Sequence, residues 1–429
     1  MKTDILIVGS GCAGLYCALH LPKDKQILII TKSEIEQSDS FLAQGGICML
    51  RDESDFAAFF DDTLKAGHYE NDKSTVEIMI RSSKDVVDDL ISYGANFQRE
   101  KNGELAFTKE GAHSQKRILY HEDTTGKEIT STLLAKVRQQ KNIVILEHTT
   151  MLDIVEEDNV CYGAVVQKED GSIAVIEAQV TVMATGGIGG LYTHSTNFKH
   201  ITGDAHAIAI KHGISLKDME YVQIHPTTFY AKDDRSFLIS ESVRGEGAVL
   251  RDKAGNRFVD ELLPRDLLTK EIWKQMEKDK TEYVWEDLRP IPKQELEEHF
   301  PNIVEYCRKM GYDVTKECIP VVPAQHYFMG GIQVDHDSKT SMQQLYAIGE
   351  AACNGVHGKN RLASNSLLES LVFAKRAALH IAEQMDNVVV PKNKKAWGSV
   401  DLDHYKNVEA LQQEYRKLVL EQVLHTTKD

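Results

Sequence analysis

The chain has 429 residues, of which 42% are hydrophobic and 27% charged, a composition typical of a soluble globular protein with two or three domains. Its formal net charge of −15 argues against nucleic acid or an anionic membrane surface as a partner, so an anionic substrate would need a local basic pocket. The seven cysteines include no C-x-x-C pair and no segment is apolar enough to span a bilayer, which favours a cytoplasmic protein without disulfides.

The chain begins with a nucleotide-binding pattern. Residues 4–8 form a short apolar run, which is followed directly by Gly9-Ser10-Gly11-Cys12-Ala13-Gly14 and by a helical pattern over 15–21. This order of strand, glycine turn and helix is typical of a dinucleotide-binding βαβ unit. Gly9 permits the tight turn, Gly11 lets the backbone approach a pyrophosphate, and Gly14 lets the helix pack on the strand. A purely structural glycine turn is the alternative.

The second strand, predicted over 26–30, ends in Thr31-Lys32 instead of the acidic residue that usually holds the ribose of NAD. A hydroxyl and an ammonium group can still bind a ribose or a phosphate, so the pattern disfavours NAD and leaves FAD open. The glycine-ended segment 40–47 follows. Two interpretations of it stay open, a simple turn or backbone amides that lie against a flat cofactor ring.

Two later strands also end in glycine. The sequence predicts helices over 55–67, 73–93 and 126–140, a strand over 143–146 and hairpins over 155–178. The next strand, over residues 180–184, is followed directly by Thr185-Gly186-Gly187. Residues 345–348 similarly run into Gly349-Glu350. We expect both strands to lie in one sheet that is assembled from the two ends of the chain.

These patterns predict an α/β fold with a discontinuous Rossmann-like domain. Its two parts are residues 1–218 and 329–395, and residues 219–328 form an inserted α+β domain of different composition. Residues 396–429 are polar and helical, and they form a short C-terminal segment.

The second half of the Rossmann-like domain carries further polar candidates. Glu350 could accept hydrogen bonds from a ribose, or it could be an ordinary charge at a helix N-terminus. The segment 358–369 predicts a helix start, with Ser364 or Asn365 as the cap. Free amides at that start could stabilise negative charge on a reduced flavin. Arg361, just before it, could bind a carboxylate or could be a surface charge.

The inserted region supplies a second polar set. His225 follows an apolar strand, a charged loop spans 241–247, Arg265 follows a proline at a helix start, and His326 precedes a glycine pair. Each histidine could be a structural hydrogen-bonding group or a ligand. No H-x-x-x-H, H-E-x-x-H or G-x-S-x-G pattern occurs, so we expect neither a metal site nor a serine hydrolase.

Taken together, these motifs resemble the flavoprotein group of succinate dehydrogenase, fumarate reductase and L-aspartate oxidase, over residue 4 to about residue 378. The resemblance implies FAD held by the Rossmann-like domain and covered by the inserted segment as a capping domain. Longer members end in a three-helix domain, of which residues 396–429 would be a reduced form. The FAD contacts that it implies are Gly9, Ser10, Gly11, Cys12, Ala13, Gly14, Thr31, Lys32, Ser40, Ala43, Gln44, Gly45, Gly46, Ala184, Thr185, Gly186, Gly187, Glu350, Ser364, Asn365, Ser366 and Leu367.

Two details point to the L-aspartate oxidase branch of this group. Ser40 stands where members with covalent FAD have a histidine, which implies non-covalent FAD. The segment 108–118 is similar to a motif of that branch, in which the residue matching Glu110 is associated with the substrate amino group. A carboxylate suits an ammonium group, whereas succinate has none to recognise.

The resemblance also assigns roles to the polar residues of the inserted region. It implies that His225, His326 and Arg361 bind the two substrate carboxylates, with Thr227 and Ser242 as further polar contacts. It makes Arg265 the proton-transferring residue, beside a relay of Glu241 and Arg244. Because free arginine has a pKa above ~12, this role requires unusual burial and nearby positive charge.

The activity that the resemblance implies is oxidation of L-aspartate to iminoaspartate. Oxygen or fumarate would reoxidise the flavin, with peroxide or succinate as the product. Iminoaspartate would pass to quinolinate synthase in NAD biosynthesis. The alternatives are a soluble fumarate reductase or succinate-oxidising flavoprotein, which Glu110 disfavours, and a flavin-binding protein without catalytic activity.

Overall fold

A seven-stranded sheet forms the centre of the computed structural model, which describes residues 1–231, 235–389 and 400–426. Both faces of the sheet are covered, so Ile5 and Ile7 pack into one apolar core while Leu6 and Val8 pack into another. Its strands are β1 (Lys2–Val8), β2 (Ile27–Ile30), β5 (Ile143–Leu146), β6 (Thr150–Glu157), β7 (Val160–Gln167), β8 (Ile173–Met183) and β16 (Leu345–Ala347).

The sheet is assembled from both ends of the chain, as the glycine-ended strands predict. Strands β5, β2, β1 and β8 lie side by side and are parallel. Strand β16 pairs in parallel with the second half of β8, with Leu345 opposite Thr181. Strands β6, β7 and β8 form an antiparallel meander, which corresponds to the predicted hairpins. The predicted α/β class is therefore confirmed.

The first helix, α1 (Cys12–His20), begins three residues before the predicted helical pattern. Gly11 is its N-cap in an extended conformation, and Gly14 lies within the first turn. A Cβ at Gly14 would lie only 2.3 Å from the carbonyl oxygen of Gly9, so this glycine permits close packing and does not end the helix. Further helices on this side are α2 (Asp39–Leu42), α3 (Phe56–Ala66), α4 (Lys73–Tyr93), α5 (Thr125–Val137) and α11 (Asn365–Gln384).

On the other face, α6 (Asp204–Lys211) packs against the C-terminal helix α12 (Val408–Thr426). A polar network joins this helix pair to the sheet. Buried Asp153 of β6 lies 2.7 Å from the His212 ring nitrogen and accepts hydrogen bonds of 2.8 Å from Lys211 and Tyr405. The C-terminal segment is helical as predicted, whereas its predicted start at residue 396 lies outside the described residues.

The inserted segment forms its own antiparallel sheet, in the order β11-β10-β14-β13-β12. Its apolar core includes Ile272, Leu288 and Val321, separate from the cores of the main sheet. The elements lie within 219–328, the limits that the sequence predicts, and those limits stay a prediction. They are β10 (Val222–Phe229), β11 (Phe237–Leu238), α7 (Glu241–Gly245), β12 (Val249–Arg251), α8 (Arg265–Asp279), β13 (Val284–Asp287), α9 (Lys293–His299), α10 (Pro301–Lys309) and β14 (Ile319–Phe328).

Two small sheets complete the fold. One contains β9 (Leu216–Lys217), β15 (Gly331–Gln333) and β17 (Ala352–Cys353), and the other pairs β3 (Ile47–Cys48) with β4 (Ile118–Leu119). Lys217 lies opposite Gly331, so the segments that enter and leave the inserted sheet run side by side. Short 3₁₀ turns span Glu53–Asp55, Gly189–Leu191, Gly349–Ala351, Met385–Asn387 and Leu402–Tyr405. In the described part of the chain, every helix is too short or too polar to cross a membrane.

Candidate cofactor cavity and active site

One continuous cavity contains most of the residues that the sequence singled out. Gly9 and Lys32 line it where β1 and β2 end, and Gly45 lines its middle. His225 of the inserted sheet and Arg361 line its far part. The fold therefore brings residues from both ends of the chain and from the insertion to a single site, at the carboxyl ends of parallel strands where α/β proteins bind ligands.

The glycine turn after β1 is shaped by close backbone approach. Gly9 has φ of +120°, and a Cβ there would lie 2.0 Å from the carbonyl oxygen of Ala184. Gly11 and Ala13 line the cavity at the N-terminus of α1, where the first backbone N–H groups have no partner within the helix. This positive end of the helix fits a diphosphate group.

Buried oxygen atoms in the cavity wall also fit a polar cofactor. Ser38, Asp39, Gln44 and Thr185 each have a buried side-chain oxygen without a hydrogen-bond partner among the described residues, and all four residues line the cavity. Buried polar atoms are rarely left without a partner. A ligand with many hydroxyl and carbonyl groups, such as FAD, would supply those partners.

Four of the predicted cofactor residues lie outside the cavity lining. The Cys12 N–H donates to the Ser40 hydroxyl at 3.2 Å, and Asn365 donates to the Thr63 hydroxyl at 3.3 Å. The absence of side chains at Gly14 and Gly187 makes room for neighbours, since a Cβ at Gly187 would lie 2.3 Å from a Glu350 oxygen. These four residues shape the wall of the cavity, and their predicted contacts with the cofactor stay a prediction.

An acidic group stands near the end of β2 although the local sequence lacks one. Asp204, at the start of α6, accepts a hydrogen bond of 2.7 Å from Lys32 and another of 2.7 Å from Thr202, and all three residues line the cavity. This arrangement can hold a ribose at the position where the fingerprint expects an acid. Sequence reasoning missed Asp204 because a Gly-Asp pair before a helix is an ordinary helix start.

Two further carboxyl groups in the cavity are strongly affected by burial. Burial raises the pKa of Asp39 to about 7, against the opposing hydrogen bond from the Phe198 N–H. Burial likewise raises the pKa of Glu350 to about 8, and the nearby Asp39 adds to the effect. Near neutral pH these groups can donate as well as accept hydrogen bonds, which suits sugar hydroxyl groups.

At the far part of the cavity, His225, His326 and Arg361 lie close together. The two imidazole rings are 5.1 Å apart between centroids. Burial and the charge of Arg265 lower the pKa of both histidines well below the usual range, so both are neutral. The Arg361 guanidinium lies over the Tyr327 ring, 4.6 Å from its centroid.

Two nitrogen atoms of this group are buried without a partner in the described part of the chain. They are His225 Nε2 and Arg361 Nε, while Arg361 donates its NH1 to the Ser366 hydroxyl at 3.0 Å. His225 Nδ1 lies 2.9 Å from the Thr227 carbonyl oxygen and 3.1 Å from the Thr227 backbone nitrogen, so Thr227 fixes the orientation of the ring and directs Nε2 away from its own backbone. The site thus offers N–H donors to carboxylate groups.

Glu110 brings a negative charge to the same cavity. Its two oxygens accept hydrogen bonds from the Ser242 hydroxyl at 2.7 Å and the Ser364 hydroxyl at 2.6 Å. A Cβ on Gly45 would lie 3.0 Å from Glu110, so the carboxylate stands beside the glycine-ended segment. Ser364 precedes α11 as predicted, but its hydroxyl holds Glu110 and makes no capping hydrogen bond.

Buried ion pairs fix the segment that carries Glu110. Arg117 is fully buried and donates to Asp55 at 2.8 Å and to Asp62 at 2.7 Å. Arg117 also lies 3.0 Å from His113 Nδ1, and His113 Nε2 lies 3.0 Å from the Ala363 carbonyl oxygen. Because such a network loses its charge balance when one member moves, the position of Glu110 is tightly determined.

Arg265 and Glu241 form the second charged group of the site. The Arg265 Nε donates to Glu241 at 2.6 Å, and its NH1 donates to the Gln223 side-chain oxygen at 2.9 Å. Burial acts to raise the pKa of Glu241, but the charges of Arg265 and Arg244 outweigh it, so the pKa is lowered. Gln223 was not predicted, although it lies two residues before His225 on β10.

Arg244 contributes charge to this group without a direct bond to it. Its NH1 donates to the Glu261 backbone oxygen at 2.6 Å, and burial lowers its pKa. Among the described residues, no hydrogen bond joins Arg244 to Glu241 or to Arg265. In the predicted relay, a hydrogen bond therefore joins Arg265 to Glu241, whereas Arg244 acts on Glu241 through its charge.

Thr227 and Ser242 lie behind the cavity wall and not in its lining. The Thr227 hydroxyl donates to the Ile239 backbone oxygen at 3.1 Å, and Ser242 donates to Glu110. Both residues thus hold other site residues in place. Their predicted direct contacts with a substrate stay a prediction.

The chain is similar to known flavoproteins over most of its length. The family described as "FAD binding domain" matches residues 4–367. An L-aspartate oxidase of Clostridium perfringens is 48% identical over 428 residues, which cover 99% of this chain and 95% of that protein. An L-aspartate oxidase of Nostoc sp. is 41% identical over 388 residues, which cover 87% of this chain and 67% of that protein.

Solved structures show the same architecture. An E. coli quinol fumarate reductase superimposes with a TM-score of 0.87 at 30% identity, and the match covers 96% of this chain and 74% of that chain. A flavocytochrome c3 fumarate reductase in an open conformation has a TM-score of 0.71 at 26% identity, over 90% of this chain and 78% of that chain. The fold seen here is thus shared with these two fumarate reductases.

Proposed function

This chain belongs to the FAD-binding family of the L-aspartate oxidases, and from that membership we propose that it oxidises L-aspartate to iminoaspartate with FAD. The observation that carries this proposal is the place of Glu110, an anion in the same cavity as Arg361, His225 and His326. A substrate with one ammonium group and two carboxylates matches these charges. Succinate and fumarate would leave Glu110 without a cationic partner.

The cofactor is FAD, which is bound without a covalent link in our proposal. The N-terminus of α1 with Gly9 and Gly11 would hold its diphosphate, Lys32 and Asp204 its ribose, and the segment around Gly45 its ring system. When bound, FAD supplies the two-electron chemistry by accepting a hydride from the substrate α-carbon. The protein residues contribute binding, orientation and charge.

Substrate binding rests on N–H donors at one side and a carboxylate at the other. We assign the two substrate carboxylates to Arg361, His225 and His326, since Arg361 Nε and His225 Nε2 are buried nitrogens that need partners. We assign the substrate ammonium group to Glu110. Holding both ends of a short molecule fixes its α-carbon, and such positioning is a large part of many rate enhancements.

Arg265 and Glu241 would transfer a proton when fumarate reoxidises the reduced enzyme and is itself reduced to succinate. The hydrogen bond of 2.6 Å between them offers a direct path for that proton. Reoxidation by oxygen would yield peroxide and would need no proton from Arg265. We further propose that the enzyme is cytoplasmic and that its product is passed to quinolinate synthase for NAD biosynthesis.

The test is anaerobic reduction of the bound flavin. We expect L-aspartate to bleach the flavin absorbance of the purified holoenzyme, and succinate to do so far more slowly. Air or fumarate should then restore the colour. If succinate bleached the flavin and L-aspartate did not, the protein would be a succinate-oxidising flavoprotein, and if neither did, the catalytic proposal would be wrong.

A further inference from the structure

Two successive residues outside the cavity have an unusual backbone conformation. His68 has φ of +57° and Tyr69 has φ of +62°, in the loop that follows α3. Residues other than glycine rarely adopt a positive φ, and two in succession, one of them a bulky tyrosine, are strained. Such strain persists only where surrounding contacts hold it, and it is concentrated near functional sites. The contacts of this loop therefore indicate what it does.

One side of the loop supports the segment that carries Arg361. The Asn360 side-chain amide donates to the Ala66 backbone oxygen at 3.1 Å. Gly358 is packed so closely on the loop that a Cβ there would lie 2.4 Å from the Gly67 backbone oxygen. The segment that leads to Arg361 thus rests directly on the loop.

The other side of the loop contacts the inserted segment. His68 Nε2 lies 3.2 Å from a carboxylate oxygen of Asp266. Asp266 directly follows Arg265 in the first turn of α8. Either form of the imidazole that carries a proton on Nε2 can donate to this carboxylate, so the contact does not depend on one charge state of the ring. His68 therefore joins the main domain to the start of α8.

Both sides of the loop lead to residues of the same cavity. Helix α8 packs on β10 and β14, the strands that carry His225 and His326. Arg361 lines the cavity with these two histidines, but it belongs to the segment that rests on the loop. The loop thus lies between the two groups of N–H donors and helps to set the distance between them.

From these contacts we propose that His68 is a positioning residue that holds the inserted sheet beside Arg361 before the substrate arrives. The proposal rests on the proposed function, because it takes Arg361, His225 and His326 as the groups that bind the substrate carboxylates. His68 lies outside the cavity lining and acts only through Asp266. Because the substrate contacts both sides, it must itself hold them together when His68 is absent, so its apparent affinity falls.

The strength of the contact sets the size of the effect. The side chains of His68 and Asp266 are 43% and 28% exposed, and exposed pairs of this kind change an equilibrium by no more than about five-fold. A weak contact suits a site that must open to release each product. A saturating substrate holds the two sides together by itself, so limiting rates should change by less than about two-fold.

The experiment compares His68→Gly with the wild type, both loaded with FAD. Glycine adopts the left-handed conformation without strain and removes the contact to Asp266. Half-saturating concentrations are measured for flavin reduction by L-aspartate and for reoxidation of the photoreduced enzyme by fumarate. We expect both to rise about three- to five-fold, while the rate of reoxidation by oxygen stays the same.

The chain offers a matched control in His148, which lies in the loop between β5 and β6. His148 also has a positive φ, of +49°, and its side chain is 41% exposed and lies 3.5 Å from Glu34. His148→Gly should leave both half-saturating concentrations unchanged. His68→Gln, which keeps an N–H donor at a similar reach, should retain most of the wild-type affinity. In an Asp266→Ala background, His68→Gly should have no further effect, because the two residues act through one contact.

Binding of succinate to the oxidised enzyme gives a readout that is independent of turnover. Succinate carries the two carboxylates that bind Arg361 and the histidines, and its binding is followed by the flavin absorbance. We expect its dissociation constant to rise by about three- to five-fold in His68→Gly and to stay the same in His148→Gly. Urea unfolding should show similar stability for these two glycine variants.

Four outcomes overturn the proposal. The first is an unchanged succinate affinity and unchanged half-saturating concentrations in His68→Gly. The second is a loss in the limiting rates and in the oxygen reaction together with lower stability than His148→Gly, which would indicate a structural role. The third is a full effect of His68→Gly in the Asp266→Ala background. The fourth is a wild type that does not bind succinate. Failure of L-aspartate to reduce the wild-type flavin would instead contradict the proposed function, since succinate binding would still test His68.

Discussion

The recognition of an amino group by Glu110 can be tested by removing its charge. In Glu110→Gln the side chain keeps its shape, and its amide can still form hydrogen bonds to the hydroxyls of Ser242 and Ser364, which lie 2.7 and 2.6 Å from the carboxylate. The lost interaction is a charge-assisted hydrogen bond to the substrate ammonium, which is worth about 1.5–3 kcal/mol. We therefore expect kcat/KM for L-aspartate to fall about ten- to hundred-fold.

The assay separates amino recognition from general damage to the site. Anaerobic stopped-flow absorbance gives the rate of flavin reduction by L-aspartate and, separately, the rate of reoxidation by fumarate. Because fumarate has no amino group, we expect its rate to change by less than about three-fold in Glu110→Gln. Glu104→Gln, at an exposed position six residues before Glu110, is the control. Equal losses in both reactions would refute the role given to Glu110.

Three other substitutions test the rest of the structure. Arg361→Leu should lower turnover by at least about 10³-fold, while the flavin absorbance shows that FAD stays bound. Full activity of this variant would contradict the assignment of Arg361 to the substrate site. Gly111→Ala would place a Cβ 2.4 Å from a Glu241 oxygen, so Glu241 must shift relative to Arg265. Reoxidation of the flavin by fumarate should therefore slow more than its reoxidation by oxygen. Asp153→Asn should weaken the contacts of α6 and of the turn Leu402–Tyr405 with β6 and cost about 3–5 kcal/mol, measurable by urea unfolding and by hydrogen exchange in those elements. Burial acts to raise the pKa of Asp153, but its cationic partners hold it at about 2, so its contribution is present above about pH 4 and is lost as the pH falls towards 2.

The parts of the fold that were predictable are those with a local signal. The glycine turn after β1 is recognisable because Gly9 must adopt φ of +120°, a conformation that other residues rarely take. The strand over 345–348 could be assigned to the main sheet because a buried parallel strand is apolar throughout and ends at the ligand-binding edge. The start of α1 was misplaced by three residues, because the sequence pattern counts Cys12 to Gly14 with the glycine turn, whereas in the structure they form the first turn of the helix.

The supporting residues of the site had no such signal. Gln223 bridges the two halves of the site, because it accepts from Arg265 and donates to the Arg361 backbone oxygen at 2.9 Å. Nothing in the neighbouring sequence distinguishes it from other polar residues of a strand. Thr227, by contrast, was assigned to the substrate, but its hydroxyl is used within the inserted sheet. Which way a side chain faces depends on the bulges of β10, which the sequence pattern does not reveal.

The amino-acid sequence alone determined the cofactor-binding turn and the resemblance that points to a flavin enzyme, because each depends on motifs whose residues are close together in the chain. Tertiary structure alone decided how the charges are paired. Lys32 meets Asp204 across 172 residues, and Ser364 meets Glu110 across 254. Such pairs form only when the sheet closes and the inserted sheet is placed beside it, and no periodicity of 2 or 3.6 residues can encode a contact over that distance.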